Sequence, residues 1–171
     1  MDLTRSQLLS ALEELDRQLG KRGTQTVLRV IGGAAIALLY DDTRMTADVD
    51  SVFENYAGVR SAVEEAATVL GLPHDWVNSQ VSDLALPFDA DEGARELPIG
   101  EYLTLRIASP EFLLYTKLVS TRRAEQDFED AVMLAEKMGL RSSADIERAV
   151  SSFGAIDGAL ELYIEDIADE L

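Results

Sequence analysis

A chain of 171 residues and 18.7 kDa, 47% hydrophobic and 27% charged, has the apolar content of one compact domain or two small ones sharing a core, which excludes disorder and collagen-like structure. The absence of cysteine removes disulfides, thiolate metal sites and cysteine nucleophiles, and a single histidine, His74, rules out a histidine pair or a multi-histidine zinc site within one chain. Thirty-two acids against fifteen bases give a formal charge of -17, a field that repels phosphate backbones and anionic lipid, so neither DNA nor a membrane is an expected partner.

The chain opens on Asp2 and a helical pattern instead of a basic cluster and an apolar core, which points to the cytoplasm. Leu8, Leu12, Leu15 and Leu19 form one helical stripe behind the capping-box pair Thr4 and Gln7, predicting a helix over residues 4–20. Val27, Val30 and Ile31 then give a short buried strand over 26–31, broken by Gly32-Gly33. An alanine- and leucine-rich helix follows over 34–40 and ends in Asp41-Asp42-Thr43-Arg44. The apolar run at 30–40 is about half the length of a bilayer-spanning helix.

A second strand is expected over 47–53, a helix over 59–70 stopped by Gly71, and a short helix around Trp76. Residues 87–100, with two prolines, two glycines and several acids, read as a loop or weak hairpin. Residues 101–107 alternate Tyr102, Thr104 and Arg106 with Leu103, Leu105 and Ile107, the pattern of a strand with one buried face. Ser109-Pro110 starts a helix to about residue 120, and further helices are expected near 125–138, 143–152 and 156–169. The sum is an α+β (α/β-like) fold: a small mixed sheet flanked by helices over residues 1–108, with a helical C-terminal part over 109–171 packed on it. Thirteen acids and three bases fall in residues 124–171, most simply a solvated helical face, otherwise a surface for a basic partner protein.

Asp48-Val49-Asp50 is the sharpest feature. Residues i and i+2 of a strand share a face about 7 Å apart, so two carboxylates there can converge on a cation. Taken alone, Asp-x-Asp is common and fits two aspartates facing water at a strand edge. The order adds information: a strand, a glycine pair that lets backbone approach a ligand, a helix whose first amides accept phosphate oxygens, then the Asp-x-Asp strand. No lysine stands at the Walker spacing, so this is not a P-loop.

Residues 30–39, VIGGAAIALL, and 44–50, RMTADVD, resemble the nucleotidyltransferase superfamily, whose members carry a glycine pair and then an acid-x-acid strand. The Arg-x-Thr-x-Asp-hydrophobic-Asp run is similar to that of the abortive-infection type nucleotidyltransferase toxins of toxin-antitoxin systems and their uncharacterised bacterial relatives. The segment 109–118, SPEFLLYTKL, followed by Arg122-Arg123, Asp127 and Asp130, looks like the helical motif of the same group. The resemblance implies that Asp48 and Asp50 bind Mg2+ or Mn2+. It places Gly32, Gly33, Arg44 and Thr46 at the nucleotide, with Lys117 contacting a phosphate and Asp127 beside it in the active site.

Asp130 and Arg123 would support that cluster, since Asp127 and Asp130 share a helical face and either orient Lys117 or Arg123 or form ordinary surface ion pairs. Read from the residues alone, Lys117 is a solvated lysine on an amphipathic helix; as a phosphate contact it is expected to affect turnover more than folding, with truncation costing no more than about 0.5 kcal/mol. Many members have a third carboxylate on a later strand; the only one offered here is Glu101, at the strand's start, while Arg106 on its polar face is a phosphate binder or a surface residue. The resemblance therefore implies transfer of a nucleotidyl group from a nucleoside triphosphate to an RNA or protein acceptor, in a toxin-antitoxin or defence setting with a cognate antitoxin or toxin. The alternative is a non-catalytic module of the same fold, an antitoxin-like partner of a basic protein. An RNA acceptor would depend on a local strip of Arg106, Lys117, Arg122 and Arg123 and bind weakly with strong salt dependence.

Overall fold

The computed structural model describes residues 2–120 and 125–171. They form two compact units, Met1–Leu86 with Ala94–Ala108, and Pro87–Gly93 with Ser109–Leu171. The fold class is α+β, a five-stranded mixed sheet flanked by helices and a helical C-terminal part. Among the described residues, no helix is long and apolar enough to cross a membrane.

In the first unit, α1 (Arg5–Lys21) begins with the full capping box: Gln7 N donates to Thr4 Oγ1 at 3.3 Å and Thr4 N to Gln7 Oε1 at 3.0 Å. All four stripe leucines are fully buried. The sheet is built from β1 (Thr26–Val30), β2 (Val49–Val52), β3 (Val77–Asn78), β4 (Arg95–Pro98) and β5 (Leu103–Ile107), in the order β3-β2-β1-β5-β4. β1 is parallel to β5 and antiparallel to β2; β2 is parallel to β3, and β4 is antiparallel to β5. Helices α2 (Gly32–Leu39) and α3 (Tyr56–Leu70) complete the unit, α3 ending at Gly71 with φ +68°.

Residues opposite one another across a ladder share a face, so the register sorts the side chains. Leu28, Val30, Val49, Ser51, Leu103, Leu105 and Ile107 are buried on the inner face. On the outer face Asn78 stands opposite Asp50, and Val52, Arg29, Arg106 and Glu96 form one row across β2, β1, β5 and β4. Asp48 and Asp50, both half-buried, thus belong to the half of the alternation that the core does not claim.

Three local expectations need correction. α2 starts at Gly32, so the glycine pair is its first turn and not a separate break. No helix surrounds Trp76; its buried indole donates Nε1–H to Val63 O at 3.2 Å and leads directly into β3, while a 3₁₀ turn forms later at Gln80–Leu84. β2 is confined to the four residues Val49–Val52, and Thr46, three residues earlier, forms an isolated bridge with Leu3: Leu3 N donates to Thr46 O at 2.7 Å and Thr46 N to Leu3 O at 3.1 Å. The weak hairpin is present as β4 paired with β5.

The second unit contains α4 (Pro110–Val119), α5 (Glu125–Lys137), α6 (Ser143–Val150) and α7 (Gly158–Ala168), with a short 3₁₀ turn at Phe88–Ala90. Ser109 caps α4 through Phe112 N at 3.1 Å, with Pro110 at the first helical position. Leu114, Leu118, Ala131, Ala135, Ile146, Val150, Ile164 and Ile167 are buried together in its core.

Polar contacts add to the buried leucine stripe in tying α1 to the rest of the first unit. Asp16 Oδ1 accepts both Tyr102 N and Leu103 N at 2.8 Å, satisfying the amides at the entry to β5, and any side chain at Gly100 would collide with that carboxylate. Asp16→Ala should cost about 2 kcal/mol in urea unfolding, the usual size for backbone donors bonded to a charged acceptor. Arg22, the C-cap of α1, forks onto Glu65 of α3 at 2.9 and 2.5 Å and holds the Glu65 carboxyl below its ordinary range through that hydrogen bond. A lowered folded-state pKa means that this stabilisation is present above the ordinary carboxylate range and lost as pH falls through the lowered one. Glu65→Gln should therefore flatten that acidic part of the stability profile, and at neutral and alkaline pH it should lower stability by a constant offset without changing the slope there.

Candidate active site

The first unit brings the glycine pair and the Asp-x-Asp run into contact. β1 delivers the chain to Gly32 in the left-handed region, where glycine is favoured, and Ile31 N donates to Asp50 O at 3.0 Å. A Cβ on Gly32 would lie 3.0 Å from Asp50 Oδ2. One on Gly33 would lie 2.9 Å from Thr46 Oγ1 and 3.6 Å from Arg44 Nη2. Both glycines are thus required by close approach of the strand-to-helix turn to the acidic run.

That run is held from several sides. Arg44 Nη1 donates to Met45 O at 2.7 Å, and the buried Thr46 donates Oγ1–H to Asp48 O at 2.9 Å. Asp48 lies immediately before β2 and Asp50 within it, both half-buried. Asn78, from β3, donates Nδ2–H to Asp48 Oδ2 at 3.2 Å. Sequence reading missed Asn78, whose only signal is its position opposite Asp50 in a pairing that a two-residue strand does not announce.

Ile31, the N-cap of α2, makes no side-chain cap bond, so the first-turn amides of α2 have no capping side chain to accept them. Two oxygen-donor carboxylates beside such a helix start can hold a hard cation and an anion next to each other. Among the described residues, no group of three or more His, Cys, Asp or Glu could hold a metal, so a cation on Asp48 and Asp50 would complete its shell with phosphate and water oxygens.

Glu101 is exposed at the start of β5, whereas Asp50 is level with the segment just past that strand's other end. At about 3.3 Å per residue the two are roughly 20 Å apart along the sheet, and the structure does not bring Glu101 to the aspartates. Arg106 lies on the outer face between Arg29 and Glu96. His74 is exposed beside the buried Trp76. Arg122 and Arg123 lie outside the described residues.

Lys117, Asp127 and Asp130 meet within the second unit. Lys117 Nζ donates to Asp127 Oδ1 at 2.6 Å and Asp130 Oδ2 at 2.9 Å, and Gln126 Nε2 donates to Asp130 Oδ1 at 3.3 Å. Lys117 is 8% exposed and Asp130 3%, so the solvated lysine of the sequence reading is corrected to a buried one. It lies in α4, where Leu113, Leu114 and Leu118 are also buried, and the two aspartates of α5 compensate its charge.

The family described as "Nucleotidyltransferase of unknown function (DUF6036)" matches residues 6–152, and the chain belongs to it. The matched segment includes the whole sheet and the helices of the second unit through α6. No curated protein matches the chain significantly, and no solved structure does.

Removing Lys117 would leave Asp130 buried without its cation. Lys117→Ala should lower unfolding free energy by about 3–5 kcal/mol, the cost typical of breaking a buried pair by deleting one partner. Chemical denaturation decides between this and the 0.5 kcal/mol of a surface change.

Proposed function

We propose that this member of a nucleotidyltransferase family moves a nucleotidyl group from a nucleoside triphosphate to an RNA or protein acceptor, with Mg2+ or Mn2+ held by Asp48 and Asp50. The observation that carries the reading is the approach of the Gly32 backbone to Asp50 Oδ2, a gap that a single Cβ would fill. The oxygen-only donor set suits either cation. When bound, the cation would offset phosphate charge and stabilise the attacking and leaving oxygens of in-line displacement.

The remaining work falls to the chain. First-turn amides of α2 at Gly32 and Gly33 bind phosphate oxygens, which only a side-chain-free backbone permits at this distance from Asp50. Thr46 serves the nucleotide indirectly, since its hydroxyl holds the Asp48 carbonyl, and Arg44 braces the same turn through Met45 O. The acceptor hydroxyl attacks the α-phosphorus and gives up its proton to water, a new phosphoester bond forms, and pyrophosphate leaves with the electrons of the broken bond.

The resemblance also assigns Lys117 to a phosphate; within the second unit its ammonium is held by Asp130, whose side chain is 3% exposed, and by Asp127, at 22% the more accessible of the two. The reading extends to a cytoplasmic toxin-antitoxin or defence role, with a cognate antitoxin or toxin as partner, on the strength of the Arg-x-Thr-x-Asp-x-Asp run alone.

One observation favours a second reading. The outer positions of β5 carry Thr104 and Arg106 and no carboxylate, which suits a non-catalytic module that binds nucleotide or a basic protein.

Calorimetry with each triphosphate, with and without Mg2+, tests the assignment. Asp48→Asn and Asp50→Asn should each weaken Mg2+-dependent binding at least tenfold, about 1.4 kcal/mol, and unchanged affinity in both would remove it. Incubation with labelled triphosphates and a cell extract separates the readings: label transferred to a macromolecule supports the enzyme, and binding without transfer supports the module.

A further inference from the structure

We propose that Asn78 is a positioning residue for the cation site, holding the Asp48 carboxylate in the orientation that lets it act with Asp50. The inference rests on the reading above that these two aspartates bind Mg2+ or Mn2+. Asp48 lies outside the regular ladder of β2, so the sheet by itself does not fix its side chain. Asn78 supplies a contact from the neighbouring strand. It stands on β3 directly opposite Asp50, on the same outer face, and its Nδ2 reaches across to Asp48 Oδ2 at 3.2 Å.

The amide is itself oriented. Gln80 N donates to Asn78 Oδ1 at 3.2 Å, and because a backbone N–H requires an acceptor, the oxygen must face Gln80 and the NH2 group must face Asp48. The backbone of Asn78 is equally fixed: its carbonyl accepts the hydroxyl of the fully buried Ser51 at 3.2 Å. The preceding turn is anchored by buried Trp76, whose carbonyl accepts Val49 N at 2.7 Å.

The chemistry selects an amide. A lysine or arginine here would bind the carboxylate more strongly but would repel the incoming cation. A neutral donor to Oδ2 sets the rotation of the carboxylate without adding a competing charge.

Titration of the full chain with Mn2+, read as loss of the free-ion electron paramagnetic resonance signal, tests this. Asn78→Ala should raise the Mn2+ Kd by about 10–100-fold, the usual effect of removing a partner that orients a metal ligand. In an Asp48→Asn background the same change should move Kd less than about twofold, because the contact it acts through is already altered. Asn78→Ser provides a second variant if Asn78→Ala does not fold: its hydroxyl can still accept Gln80 N in a local turn but is too short to reach Asp48, so the same loss is expected.

An Asn78→Ala or Asn78→Ser protein that binds Mn2+ like the parent overturns the proposal. So does an equal loss in both backgrounds, the mark of a general structural defect. If the parent binds Mn2+ and Asp50→Asn abolishes it while the Asn78 changes do nothing, only the role of Asn78 falls. A parent that binds no Mn2+ overturns the site reading and this proposal together.

Discussion

The geometry of the first unit depends on a gap with no side chain in it. Gly32 and Gly33 let a strand-to-helix turn settle against Asp50 on one side and Thr46 on the other, at distances that any Cβ would violate. Because the turn sits there, α2 begins at the first glycine, its opening amides have no capping side chain, and the acidic run follows immediately beside them. The juxtaposition of negative carboxylates with the positive end of a helix is then a consequence of packing, achieved without a lysine-bearing loop.

The second unit uses a different economy of charge. Lys117 is surrounded by hydrophobic neighbours in α4 and is tolerable there only because two aspartates of α5 meet it. Such a cluster ties two helices with a directional contact that apolar packing alone does not supply. The acid-rich composition of the C-terminal segment therefore has two physical meanings: most of its carboxylates are exposed, while Asp130 is part of the interior.

How much of this was legible in the sequence follows from which interactions are local. The α1 stripe, its capping box, the Ser109-Pro110 start and the alternation of β5 all depend on neighbours a few residues apart, and periodicity exposes them. The glycine pair and Asp-x-Asp run were legible as a motif, although the reason for the glycines, contact with side chains 13 to 18 positions away, belongs to the folded chain. Asn78 and Asp16 stayed hidden because each acts on a partner distant in sequence, brought near by strand pairing for Asn78 and by packing of α1 on the sheet for Asp16, across 30 and 86 residues. Trp76 misled because its aromatic, polar-flanked setting resembles a helix face, whereas its anchor is the carbonyl of Val63. Lys117 misled in the other direction: amphipathic spacing places a lysine toward water unless carboxylates from another helix are known to await it.

The strand order has a consequence for how these molecules behave when many are together. A sheet offers unpaired amides and carbonyls only at its borders, and such borders invite pairing with another chain. Here one border is β3, two residues long; the other is β4, which is exposed, carries Arg95 and Glu96, and ends at Pro98, a residue with no amide hydrogen to give. Both borders are therefore too short or too charged to seed strand-by-strand growth into aggregates.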